Sequence, residues 1–138
     1  MKTDGYALIT GASSGIGEAI AREYASRGKP LILTARRKDR LDTLATELGK
    51  KVPVVVLAAD LADPKAPQEM FDAIQAQGLH VDTLVNNAGY GVPGRYLSES
   101  WASHRDFIQV LISSVAELTY LFLPAMEAKG YGRVLNVA

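Results

Sequence analysis

Short, nearly continuous apolar runs alternate along this chain with longer stretches that mix apolar and polar positions. Continuous runs of this kind are typical of strands that are buried on both faces of a sheet. They occupy residues 6–10, 31–35, 52–59, 82–86 and 133–137. In the stretches between them, apolar residues recur every three or four positions, as on amphipathic helices. These predicted helices span residues 15–27, 41–48, 63–77 and 99–129.

Each predicted helix has an inward face and a boundary residue. Gly28, Gly49 and Gly78 follow the first three helices, where glycine commonly ends a helix. Asp63-Pro64 is predicted to open the third helix, because proline suits the first helical turn. The residues at helical spacing are Ile16, Ala19, Ile20, Glu23 and Tyr24 on the first helix and Leu41, Leu44, Ala45 and Leu48 on the second. Met70, Phe71 and Ile74 are predicted to face inward on the third, and Phe107, Leu111, Ser114, Val115, Leu118, Phe122 and Met126 lie on or near one face of the last.

The alternation of single helices with single strands determines the expected fold class. Consecutive strands joined through one helix lie parallel and need right-handed crossovers. The chain has 138 residues, which is enough for one domain with a core and too few for two. We therefore expect residues 1–138 to form one α/β domain, a Rossmann-type, doubly wound parallel sheet.

Composition and charge exclude several classes of partner. Fifteen Lys and Arg residues balance fifteen Asp and Glu residues, so no basic excess favours a nucleic acid or an anionic membrane. The longest apolar stretch, 118–126, is interrupted by Thr119 and Pro124 and is shorter than a membrane span. The absence of cysteine excludes disulfides and thiolate metal sites, and the first residues resemble no signal peptide. We expect a cytoplasmic protein with no metal, nucleic-acid or membrane partner.

The glycine-rich turn between the first strand and the first helix is the strongest candidate for a binding site. Its glycines follow the spacing Gly-x-x-x-Gly-x-Gly. They let the backbone approach a pyrophosphate closely, and the N-terminus of the following helix attracts the anion. An ordinary tight turn is the alternative interpretation. The candidate residues are Gly11, Ser13, Ser14, Gly15, Ile16 and Gly17.

Two arginines directly follow the second predicted strand. In dinucleotide-binding folds this position faces the adenosine ribose, where an acidic residue would favour NAD. Arg36 and Arg37 instead predict NADP(H) over NAD(H), since guanidinium groups bind a 2′-phosphate through paired charged donors. Arg36 is the better candidate of the two. The alternative is that both arginines are solvated residues at the start of a helix.

Two further groups lie where the third and fourth predicted strands end. Ligands of open α/β sheets bind at the carboxyl ends of strands, so Asp60 is placed to bond an adenine amino group, with Leu61 packed near the ring. Asn86-Asn87-Ala88-Gly89 combines small residues with amides that can tie strand ends together. Asn87, Ala88 and Gly89 are therefore cofactor-binding candidates. A turn cap at Asp60 and an Asn-rich turn are the alternatives.

Together these residues resemble the classical short-chain dehydrogenases/reductases. The resemblance rests on Thr10–Gly17, Asp60-Leu61, Asn86–Gly89 and the terminal segment Gly132–Val137. It implies the strand order 3-2-1-4-5 and an NADP(H)-dependent oxidoreductase that interconverts a small-molecule alcohol and carbonyl compound. It also implies cytosolic, oligomeric relatives.

The resemblance implies catalytic residues that this sequence does not contain. The family uses a Ser at the end of the fifth strand and a later Tyr-x-x-x-Lys pair, whose positions fall beyond Ala138. No Tyr-x-x-x-Lys occurs among the 138 residues. The expectation is a cofactor-binding portion, truncated before the catalytic groups, that does not turn over alone. A non-catalytic dinucleotide-binding module or an inactive fragment is the alternative.

A second departure concerns the long helical region. The family's Asn in this helix aligns at or next to Leu111, and a leucine cannot hold the water chain that this Asn supports. A tolerated replacement, with Ser113 or Ser114 compensating, is the alternative. We also expect an uncovered sheet edge and apolar faces to favour a homo-oligomer formed through the long helix near 99–129.

Overall fold

The computed structural model describes residues 5–138, which form a parallel sheet with helices on both faces. The prediction that the chain starts without a signal peptide concerns residues 1–4, outside this described part. The strands are β1 (Tyr6–Thr10), β2 (Leu31–Ala35), β3 (Val54–Ala58), β4 (Val81–Asn86) and β5 (Arg133–Asn136). The helices are α1 (Gly15–Ser26), α2 (Lys38–Leu48), α3 (Ala66–Ala76), α4 (Trp101–Ile108) and α5 (Ser114–Lys129).

All five strands are parallel and lie in the order β3-β2-β1-β4-β5, as predicted. The register pairs Thr10 of β1 with Thr34 of β2, and Ile9 with Val85 of β4. The carboxyl ends of these three strands therefore meet at one edge of the sheet. The strand order reverses between β1 and β4, which is where ligands bind in open α/β sheets.

Alternating residues of the strands fill two separate cores. Ala7 and Ile9 of β1 face the α1 and α2 side, while Leu8 faces α3 and α5. This two-sided burial explains why the strand sequences are continuous apolar runs rather than alternating ones. The core on the second face includes Met70, Ile74, Leu84, Leu118, Phe122 and Met126.

The buried face of α1 matches the predicted residues only in part. Gly17, Ala21 and Ala25 are the buried positions, whereas Ile16 is 59% exposed. Small residues let the helix lie close against the sheet, and this close packing outweighs the burial of a larger side chain. Ile20 and Tyr24, which the spacing also selected, are partly buried and pack against the same core, so the predicted face was correct in part.

The start of α3 was also predicted too early. Asp63 and Pro64 belong to a turn in which the backbone N–H of Lys65 donates to Asp63 Oδ1 over 2.9 Å. The helix begins only at Ala66, and its Pro67 occupies the first helical turn. Because the side chain of Asp63 closes a local turn, the helix begins three residues later than Asp63.

The long helical region is continuous from Trp101 to Lys129, with a π-helical turn, Gln109–Ser113, between α4 and α5. By length and composition alone this 29-residue helix would suffice to cross a membrane, so the length argument made from residues 118–126 was wrong. One of its faces packs on the sheet through Leu118, Phe122 and Met126. A helix that belongs to a core passes the same test of length and hydropathy.

Candidate functional site

An open groove of about 960 Å³ follows the carboxyl ends of the strands. Of the thirteen predicted site residues, twelve line it: Gly11, Ser13, Ser14, Gly15, Ile16, Arg36, Arg37, Asp60, Leu61, Asn87, Ala88 and Gly89. The thirteenth, Gly17, is buried behind the glycine-rich turn. Four segments that are distant in sequence thus share one wall, because parallel strands deliver their ends to the same edge.

The glycine-rich turn is shaped by backbone conformations and contacts that favour glycine. Gly11 and Gly15 have φ values of +62° and +58°, in the left-handed region. A Cβ on Gly17 would lie 2.2 Å from the carbonyl oxygen of Gly11, so only glycine fits there without a backbone shift. Ser14 precedes α1, but its side chain makes no capping hydrogen bond. The first turn of α1 therefore has no side-chain cap, and its N-terminus lies at the groove.

The end of β4 is fastened to the end of β1 by side chains. Asn87 Nδ2 donates to the carbonyl oxygens of Thr10 and Gly11, over 3.2 and 3.1 Å. In return, Thr10 Oγ1 accepts from the backbone N–H groups of Asn87 and Ala88, both over 2.9 Å. The amide of Asn87 thus ties adjacent strand ends together, as expected, and gives the floor of the groove its shape.

The two arginines after β2 occupy different electrostatic settings. Arg37 contacts Asp39, from Nη2 to Oδ2 over 3.1 Å, and this hydrogen bond lowers the pKa of the Asp39 carboxyl. Among residues 5–138, no carboxylate lies within 4.0 Å of the guanidinium of Arg36. Arg36 therefore faces the groove as a cation without an ion-pair partner.

Asp60 and Leu61 continue the groove beyond β3. Asp60 Oδ1 accepts from the backbone N–H of Ala62 over 3.0 Å, so the carboxylate closes a local turn and also lines the groove. The two interpretations made from the sequence are therefore compatible. Leu61 is 7% exposed and packs in the core below its groove-facing edge.

Leu111 lies on the π-helical turn and lines the far end of the groove. Its Cδ2 would lie 3.5 Å from a Cβ built on Gly89. Val110, Val115 and Val137 also line the groove, together with the polar residues Asn86, Asp106 and Asn136. Asn86 Nδ2 donates to Asn136 Oδ1 over 2.9 Å and so joins β4 to β5.

Sequence reasoning missed Tyr90, which directly follows Gly89 and lines the groove. Its ring packs edge-on against Phe107, with 5.5 Å between the ring centroids. Partial burial raises the pKa of the Tyr90 phenol, and the charge of Asp106 adds to this effect. No spacing in the sequence pairs Tyr90 with Phe107, although an aromatic residue next to the Asn-Asn-Ala-Gly segment was a signal that could have been used.

Two buried side-chain oxygens at the carboxyl ends of the strands have no hydrogen-bond partner among the described residues: Thr34 Oγ1 and Asn86 Oδ1. Both residues also line the groove. Buried polar atoms normally have a hydrogen-bond partner, so these two exceptions single out the edge of the sheet at which the groove lies.

The groove has the features that a dinucleotide needs. Gly17 lies close to Gly11, so the turn Gly11–Gly17 forms a glycine cradle. This cradle lies at the N-terminus of α1, which has no side-chain cap, and it suits a pyrophosphate. Arg36 supplies a cation that has no ion-pair partner among residues 5–138, and Val110, Leu111 and Val115 offer apolar surface on which a flat ring can pack. The residues present therefore fit a nicotinamide dinucleotide along the whole groove.

Comparisons with known proteins agree with this geometry. A family model described as short chain dehydrogenase matches residues 5–138. Sulfoacetaldehyde reductase 2 of Chromohalobacter salexigens is 40% identical over 126 residues, covering 91% of this chain and 50% of the relative. The NADP-dependent 3-hydroxy acid dehydrogenase YdfG of Salmonella typhi is 35% identical over 134 residues, covering 94% of this chain and 52% of the relative.

A solved structure extends the likeness to three dimensions. The short-chain dehydrogenase from Sphingobium yanoikuyae, determined in complex with NADPH, superposes with a TM-score of 0.88 at 33% identity. The match covers 96% of this chain and 52% of that structure, so the chain spans about half the length of the relatives that it matches. From the strand order, the groove and these matches it follows that the chain belongs to the short-chain dehydrogenase family.

Proposed function

We propose that the groove binds NADP(H) in preference to NAD(H), as the cofactor site of an oxidoreductase that interconverts a small alcohol and its carbonyl compound. The observation that carries this proposal is the guanidinium of Arg36, which has no ion-pair partner in the described part of the chain and lines a groove with a glycine cradle. A phosphate is the natural partner for an exposed guanidinium, because planar N–H donors match its oxygens. Only the phosphorylated dinucleotide carries such a group on its adenosine ribose.

Each segment of the groove has a part in this proposal. Gly11–Gly17 holds the pyrophosphate at the N-terminus of α1. Arg36 binds the 2′-phosphate, while Asp60 and Leu61 border the adenine. The apolar end around Leu111 and Val115 receives the nicotinamide. The names of two relatives support this choice of cofactor, since one is an NADP-dependent dehydrogenase and the other was determined with NADPH.

When bound, the cofactor supplies a hydride to a carbonyl carbon or accepts one from an alcohol carbon. The residues of this chain would hold and orient it in the groove. The Tyr-x-x-x-Lys pair that the resemblance implies does not occur among the 138 residues. We therefore expect no turnover from these 138 residues with NADPH and a panel of ketones. A rate well above background would contradict this expectation.

A non-catalytic dinucleotide-binding module is the second candidate function, and Leu111 favours it. This residue puts an alkyl group on the groove wall at or near the family's Asn position. An alkyl side chain neither donates nor accepts a hydrogen bond, so it holds no water chain. Binding of NADPH without turnover, in a chain extended to the length of its relatives, would support this second candidate.

We also propose a cytoplasmic homo-oligomer formed through the outer face of the long helix. Ile112 and Tyr120 on this face are 61% and 78% exposed, and Trp101 and Leu123 extend the same apolar surface. Apolar surface of this extent favours association. Analytical ultracentrifugation of an Ile112→Glu variant should then show dissociation relative to the unaltered chain. A monomeric unaltered chain at working concentration would contradict the proposal.

The cofactor preference is tested by fluorescence titration with NADPH and NADH. Arg36→Ala should weaken NADPH binding by about tenfold to hundredfold, the usual value of a charge-assisted pair, and leave NADH binding nearly unchanged. Arg40→Ala is the matched control, because Arg40 belongs to the same basic segment but does not line the groove. Equal affinity for NADPH and NADH, or equal effects of the two variants, would contradict the proposal.

A further inference from the structure

Arg36 and Arg37 both line the groove, but among residues 5–138 only Arg37 has a carboxylate within 4.0 Å. Arg37 contacts the Asp39 carboxylate twice, over 3.3 Å from Nε to Oδ1 and over 3.1 Å from Nη2 to Oδ2. Asp39 itself does not line the groove. The positive charge of Arg37 is therefore already opposed by a resident carboxylate before any ligand arrives.

The contact with Asp39 uses the donors that a phosphate would need. A guanidinium binds oxyanions best when two parallel N–H groups meet two oxygens, and Asp39 occupies one such pair on Arg37. The hydrogen bond from Arg37 lowers the pKa of the Asp39 carboxyl, so this carboxylate stays ionised at neutral pH. Its negative charge also repels any second anion that approaches Arg37.

We propose that Asp39 competes with the 2′-phosphate of a bound nucleotide for Arg37, and so limits how strongly the groove prefers a 2′-phosphorylated ligand. This inference rests on the proposed function, because it takes the groove as a nucleotide site. The two side chains of the pair are 61% and 69% exposed, and exposed pairs are weak and screened. A phosphate with a charge near −2 therefore displaces the carboxylate, at a cost in affinity.

A second ion pair on the same helix offers a matched control. Lys38 Nζ lies 2.8 Å from Asp42 Oδ2, near the start of α2. Neither partner lines the groove. Asp42→Asn thus removes the same charge from the same helix without releasing a groove-facing cation, and it separates the release of Arg37 from a general change in potential.

The experiment is calorimetric titration with 2′,5′-ADP and with 5′-ADP, which differ in the 2′-phosphate. Asp39→Asn should bind 2′,5′-ADP about threefold to tenfold more tightly than the unaltered chain, the scale of one screened charge at short range. Binding of 5′-ADP should change less than about twofold, as should binding of either probe to Asp42→Asn. The gain should shrink as the salt concentration rises.

A double-variant cycle shows whether the gain passes through Arg37. In the unaltered chain, Arg37→Ala should weaken 2′,5′-ADP binding only slightly, since Arg37 is already engaged. In the Asp39→Asn background, the same substitution should remove the whole gain. A purely structural role of Asp39 would change both probes alike and would leave the two effects additive. Thermal unfolding of each variant confirms that the compared chains are folded.

The outcomes separate this inference from the proposed function. If the unaltered chain binds 2′,5′-ADP but Asp39→Asn binds it no more tightly than Asp42→Asn does, the inference is wrong and the proposed function stands. Weaker binding by Asp39→Asn would also overturn the inference, because Asp39 would then be holding Arg37 in place for the phosphate. If no variant binds 2′,5′-ADP, both the proposed function and the inference are wrong.

Discussion

Polar side chains collect at both ends of the parallel sheet, but their surroundings are opposite. At the amino end, Lys29 Nζ lies 2.5 Å from Asp82 Oδ1, and the side chains are 7% and 3% exposed. At the carboxyl end, the guanidinium of Arg36 faces an open groove and has no carboxylate within 4.0 Å among residues 5–138. The charges at the amino end are paired within the protein, while the guanidinium at the carboxyl end is left to bind a ligand.

This difference teaches how to separate polar residues that hold a fold from those that serve a site. Asp82 also accepts a hydrogen bond from Thr83 Oγ1 over 3.0 Å, so its carboxylate is well supplied with donors inside the protein. A Cβ on Gly5 would lie 2.5 Å from Asp82 Cγ, which shows how closely the chain covers this pair. No ligand has room to reach it. The amino end should therefore govern stability and the carboxyl end should govern binding.

The largest expected effect is at the amino end. Asp82→Asn removes the charge that balances a buried Lys29, and should lower the free energy of unfolding by about 3–5 kcal/mol. Urea denaturation measures this loss, while the folded fraction should bind NADPH as before. The double variant Lys29→Met with Asp82→Leu should recover most of the stability, because it buries no unpaired charge. A loss no larger than that of the exposed Asp42→Asn would break the comparison.

The next effect is expected in the glycine cradle, where one substitution should affect both stability and binding. Gly17→Ala places a Cβ 2.2 Å from the Gly11 carbonyl oxygen and 2.5 Å from Asn87 Nδ2, so the turn must shift. We expect a loss of about 1–3 kcal/mol in stability and more than about tenfold in NADPH affinity. Gly91→Ala is the control, since its Cβ would meet nothing within 4 Å. Unchanged NADPH binding by Gly17→Ala would speak against the cradle.

A smaller effect should distinguish the groove wall from the core on one helix. Leu111→Asn turns a groove-facing alkyl group into an amide that solvent can reach, and should cost less than about 1 kcal/mol. Leu118 is fully buried seven residues later, and Leu118→Asn should cost at least about 2–3 kcal/mol. Urea denaturation compares the two variants. Equal costs would mean that the contacts of Leu111 with the core outweigh its exposure to the groove.

The smallest effect concerns two serines at helix starts. Ser100 Oγ accepts from the backbone N–H of Ser103 over 3.1 Å, so Ser100→Ala should cost about 1 kcal/mol. Ser14 makes no such bond, so Ser14→Ala should leave stability almost unchanged and weaken NADPH binding a few-fold at most. The pair is compared by urea denaturation and NADPH titration. A stability loss from Ser14→Ala equal to that from Ser100→Ala would show that Ser14 caps its helix after all.

Much of the fold could be predicted because its signals are local. Continuous apolar strands, a glycine after α2 and the Gly-x-x-x-Gly-x-Gly turn each express a constraint within a few residues. The strand order followed only from the family resemblance. The most buried residues of α1, Ala21 and Ala25, were missed because spacing alone does not distinguish a small buried residue from a small exposed one.

The residues that line the candidate site could be predicted, but the hydrogen bonds and ion pairs between them could not. All thirteen proposed residues lie at or directly behind the groove, since the ends of parallel strands meet at one edge. The bond between Asn87 and Thr10 joins residues 77 positions apart, and the Lys29–Asp82 pair joins residues 53 apart. No local pattern encodes such partners. For the same reason, the difference between a paired Arg37 and an unpaired Arg36 became visible only in three dimensions.

The fastening of β4 to β1 has a consequence for the order of events in folding. The glycine-rich turn can form from neighbouring residues, but the groove floor needs Thr10 and Asn87 together, which requires closure of a loop of more than seventy residues. A dinucleotide that spans both halves therefore has nothing complete to bind until β4 has docked beside β1. Bound ligand should accordingly slow unfolding and leave the rate of folding unchanged. We therefore expect the proposed cofactor to stabilise the completed sheet and not to guide its assembly.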